Sequence, residues 1–170
     1  MLCAEGGKTA TVRADSPSFD QPQVQPPTEV LPGLWQAGTP VDWDWVRRTG
    51  FSLIVDVNDA DQAHDEGEVQ GLRYVKHPLV DSDELPDPYL LDELVHLVVE
   101  EVRSDRPVLV HCGFGKNRSG LVVALAVREL LGVDGRAALE HLRAVRHRAV
   151  NNVRFAAYVE SLPAPELAGR

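Results

Sequence analysis

Residues 106–132 constrain the fold more than any other part of this 170-residue chain. Residues 106–111, RPVLVH, form a short apolar and β-branched run, which is typical of a buried strand. Residues 118–131 are apolar on almost every side and are followed by Gly132, which predicts a buried helix that stops at a glycine. A short loop, CGFGKN, separates the two elements. The predicted order is therefore strand, loop and helix N-terminus.

The loop has the composition of a site for a tetrahedral oxyanion. A strand-to-helix loop presents unpaired backbone N–H groups and the positive end of the helix dipole to an anion. Gly113 and Gly115 allow the backbone to turn toward such a ligand, and Gly120 relieves crowding where the helix begins. Arg118 can hold two oxygens of the anion in a fork that lysine cannot reproduce. These features predict that the loop binds phosphate.

Cys112 stands at the start of this loop and is predicted to lie beneath the central atom of the anion. A cysteine attacks as its thiolate, and a helix N-terminus and nearby cations favour that form. The predicted N-terminus of the helix and the cations of Lys116 and Arg118 lie next to Cys112. The residue is therefore a candidate nucleophile.

Residues 111–120, HCGFGKNRSG, resemble the signature loop of the cysteine-dependent protein tyrosine phosphatase superfamily, His-Cys-x5-Arg-Ser/Thr. The resemblance implies that Cys112 takes the phosphoryl group as a thiophosphate and that Arg118 binds it in the ground and transition states. It also implies that Ser119 helps the thiolate to depart and that His111 orients the loop. The residues implied to contact phosphate are Gly113, Phe114, Gly115, Lys116, Asn117 and Arg118.

A leaving group also needs a proton, and the thiophosphate needs an activated water, so one carboxylate can serve both steps. The family places this aspartate on a loop after a strand, upstream of the helix that leads into the cysteine strand. Asp81 fits that position, 31 residues before Cys112, which is close to the spacing in dual-specificity members. Asp83 and Glu84 are near enough to compete for the role.

The rest of the chain alternates predicted strands and helices, which implies an α/β fold: a central, mainly parallel β-sheet flanked by helices on both faces. Residues 30–38 resemble the opening strand of dual-specificity phosphatases, and the resemblance extends over about residues 30–162. The other predicted elements are a helix at 42–49, a strand at 51–57, a helix from Asp87 to about Ser104, a helix from Asp134 to about Arg146 with Leu139, Leu142 and Val145 inward, and a last helix opened by Asn152.

Composition predicts one domain. The chain is 44% hydrophobic and 25% charged, as in ordinary soluble proteins. Residues 1–28 have no apolar period and are predicted to be a disordered or loosely packed tail, and residues 29–170 a single phosphatase-like domain. Cys3 and Cys112 are the two cysteines, which favours a reduced compartment over a disulfide framework.

Several ligands and locations are not expected. The histidines and cysteines form no cluster with metal-ligand spacing, so no metal or other cofactor is expected. No apolar run reaches the roughly 20 residues of a membrane span, and no signal peptide is evident. The net charge of −9 argues against nucleic-acid binding. We expect a cytoplasmic monomer whose partner is a phosphorylated protein or a small phosphorylated substrate.

The loop leaves the substrate open. Family members that act on inositol lipids or inositol polyphosphates often carry a lysine where this chain has Lys116, but they commonly have a second lysine where it has Gly113. Asn117 resembles the RNA 5′-phosphatase branch, which suits a basic protein better. The first expectation is a phosphatase for phosphotyrosine and phosphoserine/threonine in proteins. The alternatives are a phosphoinositide or inositol polyphosphate phosphatase and a non-catalytic phospho-binding protein.

Local charge clusters have two interpretations. Acidic residues are concentrated within residues 56–68, and arginines are concentrated near the C-terminus. We expect each cluster to form a solvated face. The arginines have a second interpretation, as a site for a second phosphate or an acidic substrate. The arginines are Arg136, Arg143, Arg146, Arg148 and Arg154.

Overall fold

The computed structural model describes residues 24–40, 42–61, 64 and 66–166. Most of the predicted tail, including Cys3, lies outside these residues. The elements in chain order are β1 (Thr28–Leu31), β2 (Leu34–Ala37), α1 (Trp43–Thr49), β3 (Leu53–Asp56), α2 (Glu66–Val69), β4 (Tyr74–Lys76), α3 (Pro88–Arg103), β5 (Val108–His111), α4 (Arg118–Leu131), α5 (Gly135–Val145) and α6 (Val153–Ser161).

The strands form one sheet in the order β1-β2-β5-β3-β4. The β1–β2 pair is antiparallel, and the other three neighbouring pairs are parallel. The prediction of a mainly parallel sheet is therefore confirmed. The prediction of a single opening strand over residues 30–38 is wrong, because Gly33 has φ +80° and reverses the chain into a hairpin between β1 and β2.

Helices cover both faces of the sheet, as predicted. Side chains alternate along each strand. In β5, Val108 and Val110 belong to the large core with α3, α4, α5 and α6, whereas Leu109 belongs to a smaller core with Val46 of α1. In β3, Val55 likewise belongs to the large core and Ile54 to the smaller one. The loop that follows β5 is consequently supported from two sides.

Capping residues set the helix boundaries where the sequence predicted them. The side chains of Asp87, Asp134 and Asn152 each accept hydrogen bonds from backbone N–H groups in the first turn of α3, α5 and α6. The predicted inward position of Val145 is wrong, since 46% of the residue is exposed. The buried stripe of α5 continues instead from Leu142 to Arg146, which lies just past the end of the helix.

Candidate active site

The loop of residues 112–117, called the signature loop below, joins the end of β5 to the start of α4. Its carbonyl groups are held from outside. The backbone N–H of Thr39 donates to the Gly113 carbonyl (3.2 Å), that of Gln25 to Phe114 (3.0 Å) and that of Val150 to Lys116 (3.0 Å). The N–H group that follows each carbonyl in a trans peptide points the opposite way. The N–H groups after these carbonyls therefore face the interior of the loop, where an anion can accept from them.

Gly115 is required by the close approach of the opening hairpin. The residue has φ +70°, and a Cβ at this position would lie 2.3 Å from the Gly38 nitrogen and 2.5 Å from the Ala37 carbonyl carbon. No side chain fits there. The predicted role of this glycine in shaping the loop thus has a specific steric cause.

Cys112 and Ser119 meet at the base of the loop. Both are buried, and the cysteine Sγ lies 3.3 Å from the serine Oγ. Gln36 of β2 donates from Nε2 to the same Oγ (3.2 Å) and to the Gly115 carbonyl (3.1 Å). A thiolate can only accept, so the Ser119 hydroxyl donates to Cys112 once the thiol is ionised. The Ser119 hydroxyl is therefore within reach of the sulfur, and its role in thiolate departure stays a prediction.

Arg118 lies at the first turn of α4 and is almost fully buried. Its Nη1 is 2.9 Å from Oδ1 of Asp59 and 3.5 Å from the Leu79 carbonyl oxygen. The guanidinium borders a cavity of about 510 Å³ that is also lined by Thr39, Asn58, Asp59, His64, Gly113 and Phe114. Asp59 belonged to the acidic run of residues 56–68 without an assigned role, and the structure makes it the ion-pair partner of Arg118.

Asp81 is the candidate acid that contacts the signature loop. Its Oδ2 accepts a hydrogen bond of 2.8 Å from Asn117, and its Oδ1 accepts one of 2.7 Å from Asn152. Asp83 and Glu84 instead line a different cavity beside α6. Asn117 was expected to contact phosphate. In the structure its side-chain amide donates to Asp81 instead.

Arg146 supports the underside of the loop. Nε and Nη2 donate to the Gly115 carbonyl (3.1 and 2.9 Å), and Nη1 donates to the Pro26 carbonyl (2.7 Å) and to Thr28 Oγ1 (2.6 Å). Burial lowers the pKa of Arg146 to about 10, although the nearby Cys112 thiol opposes the shift. The interpretation of this arginine as part of a solvated or phosphate-binding face is wrong, since only 3% of it is exposed.

A strained segment lies between Arg146 and α6. Arg148 and Val150 have φ values of +64° and +55°, in the left-handed region that a β-branched residue rarely adopts. Arg143 donates from Nε to the Ala149 carbonyl (3.2 Å) and from Nη2 to the Val150 carbonyl (2.9 Å). Arg143 and Arg146, two members of the predicted arginine cluster, therefore donate hydrogen bonds to backbone carbonyls in and next to the signature loop.

His111 supports the loop from the side of α1. Its ring is fully buried, and Nδ1 lies 3.8 Å from Oδ1 of Asp56. Burial lowers the pKa of His111 to about 4, and the charges of His64 and Lys76 act in the same direction while Asp56 opposes them. The imidazole is therefore neutral at physiological pH. His111 directly precedes Cys112, and its role in orienting the loop stays a prediction.

Asp56 belongs to the sheet interior and not to a solvated acidic face. Tyr74 donates to its Oδ2, as does the Lys76 ammonium at 2.9 Å, and the Asn58 N–H donates to Oδ1 at 2.8 Å. Burial raises the pKa of Asp56, but His111 and these hydrogen bonds outweigh it, and the net pKa lies below the ordinary value. The carboxylate is charged and partnered.

Ligand atoms of Asp56, His64 and His111 lie within 4.8 Å of one another. These are residue types that bind zinc. The Lys76 ammonium already neutralises the carboxylate, however, and a cation added there would be repelled by it. We assign the trio to support of the loop.

The sequence model described as "Tyrosine phosphatase family" matches residues 34–147. The chain belongs to this family. It is 29% identical over 135 residues to dual specificity protein phosphatase 15 of Rattus norvegicus, covering 78% of this chain and 56% of that protein. It is also 29% identical over 130 residues to dual specificity protein phosphatase 12 of Rattus norvegicus, covering 75% and 38%. The chain thus spans about half the length of these relatives, or less.

Solved structures in this family share the fold. A crystal structure of DUSP15 is 26% identical with a TM-score of 0.69, covering 80% of this chain and 86% of that chain. Tk-PTP in its active form is 24% identical with a TM-score of 0.70, covering 79% and 95%. The predicted dual-specificity phosphatase-like fold is therefore confirmed. Within the described ranges, no helix combines the length and apolarity that crossing a bilayer requires.

Proposed function

We propose that this chain is a cysteine-dependent phosphatase that hydrolyses phosphate monoesters, with phosphotyrosine and phosphoserine/threonine in proteins as its substrates. The observation that carries the proposal is the placement of the Cys112 sulfur 3.3 Å from the Ser119 hydroxyl, within a loop whose outer hydrogen bonds turn its N–H groups inward and which Arg118 borders. Family membership and dual-specificity relatives support the same activity.

In the first step, the Cys112 thiolate attacks phosphorus. An S–P bond forms, the P–O bond to the leaving group breaks, and Asp81 gives its proton to the departing oxygen. Arg118 and the loop N–H groups hold the three remaining phosphoryl oxygens.

In the second step, water attacks phosphorus and transfers a proton to Asp81. The S–P bond breaks, and inorganic phosphate and the thiolate form. The Ser119 hydroxyl, aligned by Gln36, donates to the sulfur as negative charge returns to it.

The carboxylate beside Arg118 and the dual-specificity relatives support protein substrates over inositol polyphosphates. Asp59 pairs with Arg118 and borders the same cavity. A ligand with several phosphates would meet repulsion from this carboxylate, whereas a peptide carries one phosphate and adaptable neighbours. We further propose that the protein acts as a monomer in the cytoplasm.

Hydrolysis of an aryl phosphate without added metal, inhibited by vanadate, tests the proposal. Cys112→Ser is expected to fold and to lose turnover, because a serine hydroxyl is a far weaker nucleophile. Equal concentrations of phosphotyrosyl peptide, phosphothreonyl peptide, phosphoinositide and inositol polyphosphate then separate the substrate classes. Turnover that survives Cys112→Ser contradicts the mechanism, and a preference for inositol polyphosphates contradicts the substrate class.

A further inference from the structure

We propose that Asn117 and Asn152 form an amide clamp that positions the Asp81 carboxyl for proton transfer. This inference rests on the phosphatase activity proposed above. Asn117 is the last residue of the signature loop and Asn152 is the N-cap of α6. Asp81 lies on the segment of residues 77–87, which has no helix or strand of its own. The clamp therefore joins the acid to two rigid elements.

The orientation of both amides is determined by backbone donors. Asn117 Oδ1 accepts from the Asn152 N–H at 3.0 Å, and Asn152 Oδ1 accepts from the N–H groups of Arg154 and Phe155 at 2.9 and 3.2 Å. A backbone N–H can bond only to the amide oxygen. The NH₂ group of each asparagine must then point the other way, which is toward Asp81. The two short contacts are donor-to-carboxylate hydrogen bonds and not an arbitrary choice of amide flip.

The clamp engages both oxygens of the acid. Asn117 Nδ2 lies 2.8 Å from Oδ2, and Asn152 Nδ2 lies 2.7 Å from Oδ1 and 2.9 Å from the Ser82 carbonyl. Asp81 itself is exposed, so its side chain would otherwise be free to rotate in solvent. Two bonds from different elements restrict that rotation. Restricting a reacting group in this way removes entropy from the barrier in advance.

The clamp also responds to the charge of the acid. A protonated carboxyl uses one oxygen to hold its proton, whereas a carboxylate accepts fully from both amides. Hydrogen bonds to a charged group are stronger than those to a neutral one. The clamp thus strengthens as the proton leaves for the ester oxygen, and an interaction that strengthens toward the transition state accelerates the step.

Helix capping does not explain why residue 152 carries an amide nitrogen that donates to Asp81. The cap uses only Oδ1, and serine provides an equivalent oxygen at an N-cap. Asn152→Ser therefore keeps the cap and removes the donor to Asp81. The neighbouring Asn151 is exposed, and Asn151→Ser is a matched control one position away.

The test compares phenyl phosphate, whose leaving group needs a proton, with an activated dinitrophenyl phosphate, whose leaving group does not. General acids contribute about 100- to 10,000-fold. Both esters share the second step, in which Asp81 acts as base, so the comparison uses kcat/KM, which reports the first step alone. With one of two clamp bonds lost, we expect Asn152→Ser to lower kcat/KM for phenyl phosphate about tenfold and kcat/KM for the activated ester less than about twofold. The midpoint of thermal unfolding is expected to stay unchanged, as is every parameter of Asn151→Ser. Asn117→Ala is expected to reproduce the leaving-group dependence.

A double-mutant cycle with Asp81→Asn identifies the route of the effect. In the Asp81→Asn background, Asn152→Ser is expected to cost nothing further, because the acid through which it acts has gone. Equal losses on both esters, or the same loss with and without Asp81, overturn the proposal. A wild-type protein that hydrolyses neither ester overturns the proposed function, and the clamp with it. A wild-type protein that is active while Asp81→Asn shows no leaving-group dependence overturns the clamp alone.

Discussion

Acid pH should destabilise this protein through one buried imidazole. The His111 ring is fully buried against Asp56, with His64, Lys76 and Tyr74 around it, and burial lowers its pKa from 6.5 to about 4. Below the pKa of the unfolded chain, the unfolded state binds a proton that the folded state excludes. The free energy of unfolding therefore falls as the pH drops from about 6.5 toward 4.

The magnitude follows from the two pKa values. At about pH 5 the unfolded chain is almost fully protonated at His111 and the folded chain is not, which corresponds to a loss of about 2 kcal/mol relative to pH 7.5. The lowered pKa of the Asp56 carboxyl contributes only below its ordinary value of 3.8. The lowered pKa of Glu101, held near 2 by hydrogen bonds from Arg106 and Arg73 against the effect of burial, contributes below 4.5. The chosen pH interval therefore isolates the histidine.

Urea unfolding followed by tryptophan fluorescence measures this dependence at several pH values. In His111→Gln, about 2 kcal/mol of the decline between about pH 7.5 and pH 5 should vanish, whatever the stability of the variant at neutral pH. His96→Gln removes an exposed histidine from α3 and should leave the decline intact. The reasoning is refuted if His111→Gln keeps the same decline as the wild type.

Three substitutions probe other parts of the structure. Arg118→Lys keeps the charge but loses the planar fork, and kcat/KM for an aryl phosphate should fall by roughly 100-fold or more in a protein whose circular dichroism is unchanged. Arg146→Met leaves three oxygen acceptors without their donor, and urea unfolding should show a loss of about 2–4 kcal/mol; a loss below about 1 kcal/mol would contradict its role under the loop. Gly135→Ala places a Cβ 1.6 Å from the Val159 carbonyl oxygen where α5 meets α6, which should destabilise the fold by about 1–3 kcal/mol. Gly67→Ala, with nothing within 4 Å, is its control and should not destabilise the fold, since alanine in helix α2 is expected to add up to about 1 kcal/mol.

The contiguous part of the site could be predicted because its chemistry is local. Cys112, Arg118 and Ser119 lie within one strand-loop-helix unit, and α4 spans the predicted residues up to the glycine stop. Caps at Asp87, Asp134 and Asn152 were predictable for the same reason, since a cap is a property of four neighbouring residues. The assignment of Asp81 as the acid came from resemblance and stays a prediction.

The supporting residues could not be predicted, because their positions depend on the order of strands in the sheet. β5 lies between β2 and β3, and this arrangement brings Gln36 to Ser119 and Asp56 to His111 across long intervals of sequence. Arg146 was unexpected for a different reason. A charged residue past the end of a helix normally indicates solvent. The burial of Arg146 is explained by its hydrogen bonds to Gly115, Pro26 and Thr28, which are distant in sequence.

The left-handed backbone at Val150 limits how far this protein can be stabilised by substitution. A valine at φ +55° carries strain on the order of 1–3 kcal/mol, but its side chain is fully buried in the core, so a glycine that relieved the strain would lose about as much in packing. The same residue donates its N–H to the Lys116 carbonyl, and one of its methyl groups lies 2.9 Å from where a Cβ on Gly120 would be. A more relaxed chain at this position would hold the signature loop less firmly. Substitution at residue 150 is therefore expected to lower turnover without a gain in heat resistance.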